Sequence, residues 1–152
     1  MALVLHETKF DATSPYYSRR AVAYMQLADY YIVTQEYEKA LSLVDDAYKL
    51  MVSLFGENDP DSLNVSSHKS AILYSLGRYD EALAIGKKNL ETYTDFYGEL
   101  NFLRFEQLVT VFKCYLKVGS QEQIKETREN ILSIGKQLLS EDSKQFKELL
   151  EL

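Results

Sequence analysis

From about residue 20 to residue 140, apolar side chains return every three or four positions with polar ones between them, the spacing that gathers one kind of residue onto one face of an α-helix. Tyr24, Leu27, Ala28, Tyr31 and Ile32 make the first such face. Their helix opens at Ser14-Pro15, a serine N-cap followed by a proline whose missing N–H costs nothing in a first turn, and it runs to about Thr34. After a tight turn at Thr34-Gln35-Glu36, a second helix over residues 37–55 carries the stripe Tyr37, Ala40, Leu41, Val44, Ala47, Tyr48 and Met51, and Gly56 ends it as a left-handed cap. Asp59-Pro60 repeats the start signal for a third helix, which reaches Leu76 and closes at Gly77. The fourth, over 79–97, presents Tyr79, Ala82, Leu83, Ile85, Leu90 and Tyr93 and stops at Gly98. A fifth and a sixth, over 100–118 and 120–139, turn Leu108, Val111, Phe112, Tyr115 and Leu116 toward Ile124, Ile131, Ile134 and Leu138. Past a polar interruption at residues 140–143, Lys144–Leu152 offers Phe146, Leu149 and Leu150 on one side, which suits a short capping helix.

The pattern repeats on a longer scale. Tyr37-Glu38-Lys39-Ala40-Leu41 returns as Tyr79-Asp80-Glu81-Ala82-Leu83, 42 residues later. Phe55-Gly56-Glu57 returns at the same offset as Tyr97-Gly98-Glu99, and Leu73-Tyr74 with Gly77 as Tyr115-Leu116 with Gly119. A period between about 20 and 50 residues marks an array in which each unit buries its apolar face only by stacking on the next. The expected organisation is an N-terminal extension over 1–13, one domain over 14–140 with units at about 15–56, 59–98 and 100–139, and a capping helix over 141–152.

Composition narrows the class. Two prolines and six glycines in 152 residues, with 46% hydrophobic and 26% charged, fit one all-helical domain with a real core rather than a turn-rich β architecture. Net charge is −6 and the pI near 5.0, with the acid excess in the first two thirds of the chain. No basic stripe exists to neutralise phosphates, which argues against nucleic acid. The single cysteine, Cys114, excludes an intramolecular disulfide and makes a reducing, cytoplasmic setting the default. No apolar run is long enough to span a bilayer, and Met1–Leu5 is too short for a signal-peptide core. Arg19 and Arg20 leave organelle import as a secondary expectation, against which Glu7 and Asp11 count.

Leu27-Ala28 with Tyr31, Tyr37 with Ala40, and Gly77-Arg78-Tyr79-Asp80-Glu81-Ala82 together resemble the tetratricopeptide repeat, a helix–turn–helix unit with small and aromatic residues at fixed offsets. The long spacing, with Phe55-Gly56-Glu57-Asn58-Asp59-Pro60-Asp61 between units, resembles the repeats of kinesin light chains, where a similar Gly-x-x-His-Pro-Asp linker joins neighbours. The resemblance covers roughly residues 20–140 and implies an all-α, right-handed superhelical stack of about three units. Departures fall in the later units. Lys69 and Ser70 stand where the family places leucine and a small residue, Phe112 takes a small position, and Gln121 and Ile124 replace an aromatic and an alanine.

Chemistry for catalysis or cofactors is hard to assemble from this chain. Two histidines, His6 and His68, and one cysteine give no zinc spacing, and the glycines form neither GxGxxG nor a phosphate cradle. Glu57–Asp61 concentrates oxygen ligands but lacks the calcium-loop spacing, and its proline suits a helix start. Asp45-Asp46 reads as a solvated helix face, Cys114 as a small core residue, and Asn64-Val65-Ser66 as a sequon inside a helix. The expectation is a non-enzyme without cofactor or metal. Most of the twelve tyrosines fall at core spacing, which leaves some for a recognition surface.

The resemblance also implies where a partner sits, since the first helix of each unit lines a concave face. Helical phase places Met25, Asp29, Ile32, His68, Ala71, Tyr74, Val109 and Lys113 on it, beside Val22, Asn64, Ser67, Glu106, Thr110 and Lys117. Relatives that hold chaperone C-terminal tails use a lysine, asparagine and arginine clamp, whereas the matching positions here are Met25, Asp29, His68, Glu106 and Thr110. This argues against such tails, and a ligand with apolar anchors is expected. The leading expectation is an adaptor or structural subunit for a protein or peptide. The alternative is a repeat-bearing regulatory segment of a larger enzyme, such as a SET methyltransferase or a signalling ATPase.

Overall fold

The computed structural model describes residues 15–140 and 143–151; the extension over 1–13, the Ser14 cap, His6, the Leu149 side chain and Leu152 lie outside what is described. Among the described residues seven helices follow one another: α1 (Pro15–Val33), α2 (Tyr37–Phe55), α3 (Pro60–Ser75), α4 (Tyr79–Tyr97), α5 (Phe102–Val118), α6 (Gln121–Leu138) and α7 (Lys144–Leu150). There is no strand among the described residues. Each helix packs on the next in the chain, and α5 also touches α3, so the pairs stack as an all-α array.

Local chemistry sets the boundaries. Asp59 caps α3 by accepting from the Asp61 N–H at 2.9 Å, with Pro60 in the first turn as expected. Asn101 caps α5 by accepting from the Arg104 N–H at 3.1 Å, so that helix begins at Phe102 rather than at residue 100. Ser120 and Gln123 form a reciprocal capping box on α6. The turns inside the first two units are superimposable in their bonding. Gln35 N–H reaches Ile32 O at 3.0 Å and Glu36 N–H reaches Tyr31 O at 2.8 Å; Gly77 N–H and Arg78 N–H repeat this to Tyr74 O at 3.0 Å and Leu73 O at 2.9 Å. Both central residues are left-handed, Gly77 at φ 75° and Gln35 at φ 61°, so Gln35 takes a backbone conformation that its Cβ disfavours. The third unit breaks the echo, because Gly119 is extended at φ −85°.

Two apolar cores result. The first joins α1 to α4 around Ala21, Ala28, Ala40, Val44, Ala47, Ile72, Leu73 and Ala82, with Tyr31, Tyr37 and Leu83 packed half-buried on it. The fully buried alanines at 28, 40 and 82 let paired helices approach closely. The second, of Phe105, Leu108, Phe112, Ile131 and Ile134, belongs to α5 and α6. Phe146 of α7 is buried as well, and α7 packs on α6. Three residues expected on buried faces are not there: Leu27, Leu116 and Leu150 are 44%, 43% and 52% exposed.

A polar seam runs between the cores. Ser66 Oγ donates to Asn89 Oδ1 at 3.0 Å, Asn89 Nδ2 to Gln107 Oε1 at 3.1 Å, Gln107 Nε2 to Ser70 Oγ at 3.3 Å, and Ser70 Oγ to the Ala82 carbonyl at 3.0 Å. All four side chains are buried, and each one donates onward in the same direction. Ser70, a departure from the family pattern, is thus a member of this relay. Gly86 sits beside it, where a Cβ would come within 2.6 Å of Val111 Cγ2 and 3.0 Å of Gln107 Nε2. Only glycine admits that approach of α4 to α5. The other departure, Lys69, pairs with Asp45 at 2.6 Å across α2 and α3, so Asp45 is half-buried rather than part of a solvated face. The inter-unit linkers are joined too, as Tyr97 Oη donates to the Asn58 carbonyl at 3.0 Å.

Candidate groove along the first helices of the units

Three hollows lie end to end. The first is walled by α1 and α3, with Val22, Met25 and Asp29 facing Asp61, Asn64 and His68. The second lies between α3 and α5 and shares Asn64 and His68 with the first. The third, about 310 Å³, shares Glu106 and Thr110 with the second and ends under α7, where Gln145 and Glu148 face Phe102, Phe105, Val109 and Lys113. The shared residues make them one furrow along α1, α3 and α5, the first helix of each unit.

The furrow gathers most, but not all, of the residues expected on this face. Met25, Asp29 and His68 line the first hollow, His68 and Ala71 the second, and Val109 and Lys113 the third. Ile32 and Tyr74 line none of them. Both are half-buried against the first core, and the Tyr74 ring lies 5.5 Å from that of Tyr79. Met25 does both jobs, lining the furrow while packing on the core. Asp61, Phe102, Phe105, Gln145 and Glu148 are added by the structure. Asp61 was hidden in the helix-start motif, and the two α7 residues reach the furrow only because that helix folds back.

Charge along the furrow is uneven. Asp29, Asp61 and Glu106 form no ion pair among the described residues, and Lys113 forms none either. Glu148 pairs at 3.4 Å with Lys144, both well exposed. Beside the second hollow, burial pushes the Tyr93 phenol up, which its Ser67 contact at 3.4 Å partly offsets. Cys114 is fully buried away from the furrow, and burial pushes its thiol up to about 11. A protonated, enclosed thiol is a packing group at neutral pH.

Helix pairs stacked in register, with an open furrow along the first helix of each, define an α-helical repeat protein. The tetratricopeptide repeat profile matches residues 19–99, more than half of the chain, and the chain belongs to that family. The 42-residue spacing agrees with the helix layout. Among solved structures, the crystal structure of BtubC (BKLC) from P. vanneervenii is similar, with a TM-score of 0.73 and 19% identity over 86% of this chain. The match spans 51% of that chain, about half its length, and at this identity it speaks for the fold alone. No curated protein matches the sequence. Among the described residues no helix is long and apolar enough to cross a membrane.

Proposed function

We propose that this chain is a non-catalytic scaffold, an adaptor or structural subunit, that holds a protein or peptide along the furrow of α1, α3 and α5. Repeats of this family generally mediate protein–protein interaction. The observation that carries the reading is the continuity of the three hollows through Asn64 and His68 and then Glu106 and Thr110. A partner laid there meets all three units at once. The working unit is the repeat domain over residues 14–140, with the following segment as its cap. Chaperone tails are not the ligand, because Met25, Asp29, His68, Glu106 and Thr110 supply no clamp for a terminal carboxylate.

The test is affinity capture from the native source with three baits of equal helicity. These are the wild type, a furrow variant Asp29→Lys/Val109→Glu, and Lys49→Glu on the exposed side of α2. A partner retained by wild type and Lys49→Glu but lost by the furrow variant supports the reading. A partner retained equally by all three overturns it.

A further inference from the structure

The furrow divides by chemistry along its length, and the division describes what fits it. Its acidic side chains are Asp29 and Asp61 in the first hollow, Glu106 where the second and third meet, and Glu148 on α7; Lys113 is the cation among them. Only Glu148 has an ion-pair partner among the described residues. Three carboxylates, Asp29, Asp61 and Glu106, therefore line the open furrow without an ion-pair partner among the described residues, and Lys113 lies in the third hollow with Glu106. The third hollow has an apolar floor, with Phe102 43% exposed above Phe105, Val109 and Leu139, and α7 closes its far end. Its volume of about 310 Å³ admits an aromatic or leucine side chain with adjoining backbone.

We propose that the occupant is a basic peptide segment with one large apolar anchor: the anchor enters the hollow under α7, and lysine or arginine side chains lie over Glu106 and toward Asp29. This rests on the furrow being the binding face and deepens that reading. Complementary charge sets the register and raises the association rate, while the buried anchor supplies most of the affinity. An acidic peptide placed the same way would set its carboxylates against Glu106 and Asp29 and lose on both counts.

The experiment is a display selection of short random peptides on the full chain, followed by affinity measurement and amide chemical-shift mapping of those selected. Expected are peptides of net positive charge bearing an aromatic residue or leucine, with shifts at Glu106, Val109 and Lys113. Their affinity should fall at least about tenfold as salt is raised, since exposed charges are screened within about 10 Å at 0.1 M ionic strength. Asp29→Asn/Glu106→Gln, which keeps shape and leaves Asp61 at the start of α3 untouched, should weaken them about tenfold, and replacing their anchor by alanine should do at least as much. Neutral or acidic peptides that map to the furrow would overturn this inference and leave the furrow reading standing. Basic peptides that map to the furrow but are indifferent to the double variant would likewise overturn this inference alone, whereas basic peptides that map elsewhere would overturn both, and failure to enrich any peptide would count against both.

Discussion

Asn89→Ala is the sharpest perturbation of the fold, because Asn89 both receives and passes on a hydrogen bond in the seam joining α3, α4 and α5. Its side chain is 2% exposed, and its neighbour Gln107 is 1% exposed. Removing the amide strands two groups. The Ser66 hydroxyl can rotate toward a carbonyl of its own helix, which keeps its share near the low end of the roughly 1–3 kcal/mol for a buried unsatisfied group. Gln107 Oε1 has no such escape, since turning its amide would break the 3.3 Å bond from Nε2 to Ser70. Adding a small cavity term, the loss is about 2–4 kcal/mol. For a chain of this size that lowers Tm by about 4–16 °C, at about 2–4 °C per kcal/mol. The assay is urea unfolding followed by circular dichroism, with Gln107→Ala and the double variant completing a cycle. The two effects should be strongly non-additive, because each variant strands the other residue. A loss under about 0.5 kcal/mol, or additive effects, would refute the relay.

Further outcomes follow from individual contacts. Gln35→Gly should stabilise by up to about 1 kcal/mol by relieving the left-handed conformation that Gly77 already occupies in the next unit, as a higher urea midpoint would show. Ala82→Leu should cost about 1–3 kcal/mol by overpacking a position with no exposure, whereas a neutral result would misplace that crossing. Phe146→Ala should free α7, so amide exchange accelerates over residues 144–150 while α1 to α4 keep their protection. Cys114 should resist a thiol reagent in the native state and react on unfolding. Its folded pKa is raised from 9.0 to about 11, so its contribution to stability is whole below pH 9 and is lost as pH rises toward 11, an alkaline loss that Cys114→Ala should lack.

The architecture was legible because its signals are local and repeated. Asp59-Pro60, Gly56 and Gly98, and the alanines at 40 and 82 each mark a backbone or packing requirement that recurs at the 42-residue spacing. What escaped was decided by neighbours distant in sequence. Asn89, Gln107 and Ser66 look like solvent-facing residues until α3, α4 and α5 bring them together, and Gly86 looks like a weak helix position until Val111 is placed beside it. Gln35 gave no hint of a left-handed turn, since glycine normally marks one. Along the furrow, helical phase located Met25, Asp29, His68 and Val109. It could not separate them from Ile32 and Tyr74, which pack on the core without lining the furrow, nor foresee the return of α7.

The claim that a partner lies along the first helices of the units is tested most directly by hydrogen–deuterium exchange of the full chain, free and saturated with a captured partner. Slowed exchange confined to α1, α3, α5 and α7, with α2, α4 and α6 unchanged, is the predicted result. Protection concentrated on α2, α4 and α6 would contradict it.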